Sequence, residues 1–230
     1  MLEVGHISFQ WNRSPLLEDV TFTVSPGEVV LLAGANGAGK TTLMKILAGL
    51  LYPSSGTIRV DGFDVFDAPL RYRRLMGYLP ESAPSEDDME VQGYLKYRAC
   101  LRGELSKKIR HRVEEAMELC GLEPYASDRI ETLSQGLRKR VALADALLLR
   151  PRFLLLDDLF AGLDIDTRES LGRILAALSS FAAVVLAGHE LDEMAPYVTK
   201  YVVLKNGKAL GAKTPAGVRT ILRTATGGAV

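Results

Sequence analysis

The sequence predicts an α/β fold: a mainly parallel sheet covered on both faces, preceded by an antiparallel β segment and interrupted by an all-helical insertion. Three observations carry this. Residues 2–9 and 17–24 alternate apolar and polar, with Val20, Phe22 and Val24 on one face, the period of a half-buried strand. The runs at 29–33, 153–157 and 184–187 are instead continuously apolar, broken only by Asp157 at a strand end, as strands buried on both sides are. Between them, residues 82–150 change to helical periodicity.

The elements follow in order. Pro26-Gly27 turns the chain into the strand at 29–33, and a helical pattern covers 41–50. A strand at 57–60 closes at Asp61-Gly62 and continues over 63–66; a short helix at 70–75 leads to a strand at 76–79. Residues 80–88 break the pattern with Pro, Ser and the carboxylates Glu81, Glu86, Asp87 and Asp88. In the insertion, Val91, Leu95 and Ala99 share one face, and Ile109, Val113, Ala116, Met117 and Cys120 share another that Gly121 ends. After the strand at 153–157 come a helix over 166–180, the strand at 184–187, a helix from about 190, and a hairpin with Asn206-Gly207 at its tip. One domain over 1–230 is expected, its core from 1–81 and 151–230 and its helical subdomain from 82–150.

Composition narrows the function. Lys+Arg and Asp+Glu both number 28, so the net charge is zero and no nucleic-acid footprint is expected; the cluster Arg71-Tyr72-Arg73-Arg74 reads as a solvated helix face. No apolar run approaches the ~18–20 residues of a transmembrane helix. Cys100 and Cys120 fall in predicted helices without metal-ligand spacing and read as buried small apolar residues of a cytosolic protein.

Gly34-Ala35-Asn36-Gly37-Ala38-Gly39-Lys40-Thr41-Thr42 fits G-x-x-x-x-G-K-S/T in a strand–loop–helix context. Glycines let successive N–H groups face phosphate oxygens, and the helix N-terminus adds positive potential at the same place. Lys40 reaches the β- and γ-phosphates and the Thr41 hydroxyl ligates Mg²⁺. Ligands in parallel sheets sit beyond the strands' C-terminal ends, and Gly34, Glu81, Asp157-Asp158 and His189 all follow apolar strands. Asp157, ending Leu154-Leu155-Leu156, is the metal candidate; Asp158 is the natural base for the attacking water. Ser134 before an amphipathic helix (Val141, Ala144, Leu148) is, on its own, an N-cap.

In this order the motifs resemble the ATP-binding cassette family, the nucleotide-binding subunits of ABC transporters, from Trp11 to about Gly211. GANGAGKTT is similar to Walker A, LLLDD to Walker B, Leu133-Ser134-Gln135-Gly136-Leu137 to the signature, and Ala161-Gly162-Leu163-Asp164 to the D-loop. His189 matches the switch histidine, Glu81 the Q-loop position, and Trp11 the aromatic that stacks on adenine, with Phe9 the competing aromatic. The resemblance implies a P-loop NTPase, RecA-like core with an N-terminal antiparallel β subdomain and the helical insertion. It implies ATP and Mg²⁺, with Mg²⁺ held by Thr41, Asp157 and Glu81. It implies catalysis by Asp158, His189 and Glu81. It also implies nucleotide contacts from Trp11, Gly34, Asn36, Gly37, Ala38, Gly39, Lys40, Thr41 and Thr42. A second nucleotide-binding subunit, a homodimer if identical, would pair head to tail so that Ser134 and Gly136 serve the opposite ATP; Asp164 is a further nucleotide contact. A separate transmembrane subunit is implied, with docking around residues 82–100, on the cytoplasmic face of the inner or plasma membrane. No N-K-x-D motif reads guanine, which agrees with ATP.

The chain departs from the family pattern in four places. Asp158 stands where the family has Glu, about 1.5 Å less reach, and a ~1 Å misplacement costs on the order of a hundredfold in rate. Leu159 replaces Pro, Gln135 and Leu137 replace Gly and Gln of the signature, and Glu81 replaces Gln. The GYLPE and LSxGxRxR style resembles the exporter-like branch. Two alternatives stand beside a transport ATPase: an ATP-gated clamp that turns over slowly, and a soluble relative without a transport role.

Overall fold

The computed structural model describes residues 1–82, 86–189 and 191–223. Strands β1 (Leu2–Trp11) and β2 (Ser14–Val24) form a hairpin, and β3 (Val29–Gly34) runs through the glycine loop into helix α1 (Lys40–Leu47). Then come β4 (Ser55–Val60), β5 (Phe63–Asp64), α2 (Pro69–Leu75) and β6 (Met76–Leu79). Helices α3 (Val91–Leu101), α4 (Ser106–Cys120) and α5 (Gln135–Leu147) follow, then β7 (Phe153–Asp157), α6 (Ile165–Ser179) and β8 (Ala183–Ala187). The chain continues through α7 (Leu191–Met194), β9 (Lys200–Lys205), β10 (Lys208–Ala212) and α8 (Pro215–Arg223).

The strands form two sheets. One is antiparallel with order β2-β1-β4-β5; the other has order β10-β9-β3-β8-β7-β6 and is parallel except for β10. The α/β class and the antiparallel N-terminal segment agree with the expectation from pattern. Alternation along the central strands divides the interior in two. Val29, Leu31 and Ala33 of β3 join a core with α3–α6, whereas Val30 and Leu32 join a core with α1 and the antiparallel sheet. β7 and β8 divide the same way, with Leu154, Leu156, Val184 and Leu186 on the first side.

Local chemistry sets the ends. Gly121 closes α4 in the left-handed conformation at φ 62°. Asn206 (φ 49°) and Gly207 (φ 76°) make the two-residue turn of the β9–β10 hairpin. α3 and α5 are tied by Asp145, whose Oδ2 accepts from Arg98 at 2.9 Å and Arg102 at 2.9 Å.

Several details differ from the sequence reading. The strand expected over 63–66 stops at Asp64, because the Asp64 carboxylate accepts the Phe66 N–H at 2.8 Å and turns the chain. The helix expected from about 190 begins outside the described residues; α7 is one turn, cut short before Pro196. Cys100 is exposed, contrary to the buried reading, because it lies on the outer face of α3 opposite Val91, Leu95 and Ala99. Cys120 is buried as expected, and burial pushes its thiol up to about 12. α8 had no counterpart in the sequence reading. Thr214 accepts the Gly217 N–H at 3.1 Å and Pro215 starts the helix, so Thr-Pro was the available signal.

Gly77 sets how closely α5 approaches β6. A Cβ there would collide with the Ala146 carbonyl oxygen and stand 2.7 Å from Leu154 Cδ2. Gly77→Ala is expected to lower stability by about 1–3 kcal/mol, read from the urea midpoint at unchanged slope.

Candidate nucleotide site

Parallel register brings the functional loops to one sheet edge. Asp157 lies opposite Ala187 in β8, Leu32 of β3 lies opposite the same Ala187, and Leu79 of β6 lies opposite Leu156. The Gly34 loop, Asp157-Asp158, Gly188-His189 and Glu81 therefore all leave the sheet on the same side, beyond the carboxyl ends of the strands where open α/β sheets bind ligands.

The loop needs its glycines. Gly37 (φ 76°) and Gly39 (φ 95°) are left-handed, and a Cβ on Gly39 would stand 2.9 Å from Leu17 Cδ2. The Ala38 N–H donates to Ala35 O at 3.1 Å and the Leu43 N–H to Gly39 O at 2.8 Å, so the wrap passes directly into α1. Asn36 and Gly37 are exposed at its tip. Lys40, only 8% exposed, folds back and donates to Gly34 O at 2.8 Å and Ala35 O at 3.0 Å.

Asp157 is 3% exposed. Burial raises its pKa above the ordinary carboxylate value, and the Asp158 and Glu81 charges add to this; a hydrogen bond with the Thr41 side chain and the Lys40 charge oppose it. Burial lowers the Lys40 pKa against the pull of Asp158 and Asp157. One buried ammonium thus faces a surplus of carboxylates. Asp157 Oδ2 is buried and makes no hydrogen bond among the described residues. An oxygen of that kind beside the Thr41 hydroxyl fits Mg²⁺, a hard cation that takes one or two protein oxygens and completes its shell with water and phosphate. Among the described residues no group of three or more His, Cys, Asp or Glu could hold a metal unaided, and Glu81 is exposed.

Asp158 is left-handed at φ 52°, and its N–H donates to Ala187 O at 2.9 Å. A Cβ at Gly188 would stand 3.5 Å from Asp158 Oδ1, so this carboxylate faces the segment that carries His189. His189 is exposed. Trp11 ends β1 and is 60% exposed, 6.5 Å from the Phe9 ring, which is half-buried against the core.

Ser134, Gly136 and Asp164 form a second group. Ser134 Oγ caps α5 by accepting the Leu137 N–H at 3.3 Å. Asp164 caps α6 by accepting from Thr167 N at 2.9 Å and Thr167 Oγ1 at 2.8 Å. A Cβ on Gly136 would stand 2.5 Å from Thr167 Cγ2, so the two caps are packed as one unit. Ser134 and Asp164 are exposed; Gly136 is buried. The sequence reading missed Arg138 and Lys139. Arg138 Nη2 donates to Glu131 O at 2.6 Å and its Nε to Leu133 O at 3.2 Å; Lys139 Nζ donates to Asp158 O at 2.8 Å. Only their place in the turns after Ser134 distinguished them beforehand.

A glycine phosphate loop on the central strand, with a buried aspartate on the strand two places away, defines a P-loop nucleotide-binding ATPase. Comparison with known proteins narrows this. The family model for ABC transporter matches residues 17–161. The uncharacterised ABC transporter ATP-binding protein YxlF of Bacillus subtilis is 35% identical over 208 residues, 90% of this chain and 69% of that protein. The sulfate/thiosulfate import ATP-binding protein CysA of Synechococcus elongatus is 33% identical over 219 residues, 94% of this chain and 63% of that protein. A solved ATP-binding subunit of an ABC transporter superposes with TM-score 0.83 at 30% identity, covering 96% of this chain and 93% of that one. The chain belongs to the ABC transporter family, as one of its ATP-binding ATPase subunits.

The raised pKa of Asp157 carries a sign. Its stabilising share is complete below the unfolded value of 3.8 and is lost as pH rises through the folded value, so at neutral pH the ionised carboxylate costs stability. Asp157→Asn is expected to raise the melting temperature of the nucleotide-free protein. The same variant loses the further stabilisation that Mg²⁺ adds to ATP, both read by thermal shift.

Proposed function

We propose that this chain hydrolyses Mg²⁺-ATP to power transport through a separate membrane-spanning subunit, acting as a head-to-tail pair of identical copies at the cytoplasmic face of the membrane. The observation that carries this is the pairing of Lys40 and Thr41 at the loop with buried Asp157, beside Asp158 and the His189 segment. The exposed face of Trp11 receives the adenine. The Gly34–Thr42 loop receives the phosphates on its N–H groups. Lys40 exchanges the Gly34 and Ala35 carbonyls for β- and γ-phosphate oxygens, a trade of neutral acceptors for charged ones. Thr41 and Asp157 would hold Mg²⁺, with Glu81 reaching its water; when bound, the ion offsets charge developing on the phosphates. Asp158 takes the proton of the attacking water, and His189, next to Gly188, donates toward the γ-phosphate.

The exposed pair of caps at Ser134 and Asp164 is read as serving the opposite copy's ATP, which explains why both sit at a surface. The membrane partner is assigned to an open groove of about 1110 Å³ between α2, the end of β6, α3 and α5, within reach of the expected 82–100 region. Leu50 (60%), Leu70 (76%) and Leu101 (60%) are exposed on it, and Arg73, Arg74 and Arg98 line it. Among the described residues no helix is long and apolar enough to cross a membrane. The exporter-like assignment rests on the Gly77–Glu81 and signature sequences alone.

Asp158 also favours the second reading, a clamp that binds ATP and scarcely turns over. Steady-state phosphate release separates the two: brisk wild-type turnover that Asp158→Asn lowers by 10²-fold or more supports the ATPase, whereas turnover that appears only in Asp158→Glu supports the clamp. Lys40→Ala is expected to weaken ATP binding at least tenfold, measured by quenching of the single tryptophan. Arg73→Glu with Arg74→Glu is expected to leave the ATPase of the isolated chain unchanged and to abolish co-purification with the membrane subunit.

A further inference from the structure

We propose that Lys139 is a positioning residue for Asp158, and that through it the signature helix α5 governs the catalytic carboxylate of its own chain. The inference rests on the reading of Asp158 as the base. Asp158 occupies a left-handed conformation at φ 52°, one that aspartate adopts more readily than most non-glycine residues. Both of its backbone polar groups are fixed. Its N–H donates to Ala187 O at 2.9 Å, which ties it to β8. Its carbonyl accepts the Lys139 ammonium at 2.8 Å and the Ala161 N–H at 3.3 Å. The first of those donors is on α5, one turn after Gln135; the second is in the loop that leads to Asp164. The backbone torsions of Asp158 aim its side chain toward Gly188, so a donor that sets those torsions sets where the shorter carboxylate ends.

The same helix carries Ser134 at its start. Gly136 packs on Thr167, and a Cβ on Gly162 would stand 2.9 Å from Gln135 Nε2, so the first two turns of α5 and the segment 158–167 meet at three places. Movement of α5 that makes or breaks signature contacts therefore shifts the carbonyl of Asp158. A charged donor suits this role: its bond to a carbonyl is stronger than a neutral one, and its long stem follows a small shift before releasing.

The test combines four variants in the intact chain: Lys139→Met, Lys139→Arg, Asp158→Asn, and Lys139→Met with Asp158→Asn. Phosphate release gives kcat and KM, tryptophan quenching gives ATP affinity, and amide hydrogen exchange reports on residues 157–161. Lys139→Met is expected to lower kcat at least tenfold with KM and ATP affinity within twofold. It should also speed amide exchange around Asp158 and leave the melting temperature within about 3 °C. Lys139→Arg should restore kcat to within threefold. Adding Lys139→Met to Asp158→Asn should cost less than twofold more, because the positioned group is already gone. A Lys139→Met enzyme with wild-type kcat beside an inactive Asp158→Asn enzyme overturns the link alone. So does an equal proportional loss in both backgrounds. An Asp158→Asn enzyme with wild-type kcat removes the reading on which the proposal rests.

Discussion

Everything at the nucleotide site depends on parallel pairing among β3, β8 and β7. Parallel strands end together, so a register that sets Asp157 beside Ala187 and Ala187 beside Leu32 also fixes the distance from the glycine loop to the carboxylates. That register is held from both sides. Odd and even residues of each strand enter different cores, and a slip by one would send every side chain to the wrong one. The precision of the site is therefore a property of two apolar interiors that contain no functional residue.

Against that rigid frame the polar groups are left in conflict. Asp157 and Lys40 are both taken out of water, and the carboxylates around them outnumber the ammonium. Lys40 spends its hydrogen bonds on two backbone carbonyls, and Asp157 keeps an oxygen unmatched among the described residues. A protein built only for stability would remove this arrangement. On the function proposed above, a metal–triphosphate would resolve both halves at once, by bringing anionic oxygens to the lysine and a dication to the aspartate. The free energy held in this conflict would then favour the ligand.

The site was legible in the sequence where chemistry and local structure coincide. The run Gly34 to Thr42 could be read because left-handed backbone, phosphate geometry and a helix start all demand particular residues at particular steps. Asp157 could be read because a carboxylate closing an apolar strand has few structural uses. Contacts that join distant segments were not legible. Nothing in the composition of α5 says that Lys139 meets the carbonyl of a residue nineteen positions later. Gly77 looks like any strand glycine until α5 lies on it. Cys100 was misplaced because a helical pattern gives the period of the buried face before it gives its limits. α8 was passed over because glycine and β-branched residues mask its Thr-Pro start, and packing of Val218 overrides their weak propensity.

The Asp145 ion triad has a mechanical side. By clasping Arg98 and Arg102 with one carboxylate oxygen, it welds α3 to the far end of α5. From there to Ser134 the helix extends eleven residues, about 16 Å. A stiff rod of that length, tilted by about 10°, carries its tip through ~3 Å, close to the length of a hydrogen bond. On the function proposed above, a push on the flank that carries the groove would need only a slight angle to decide whether the tip touches a phosphate on a second copy.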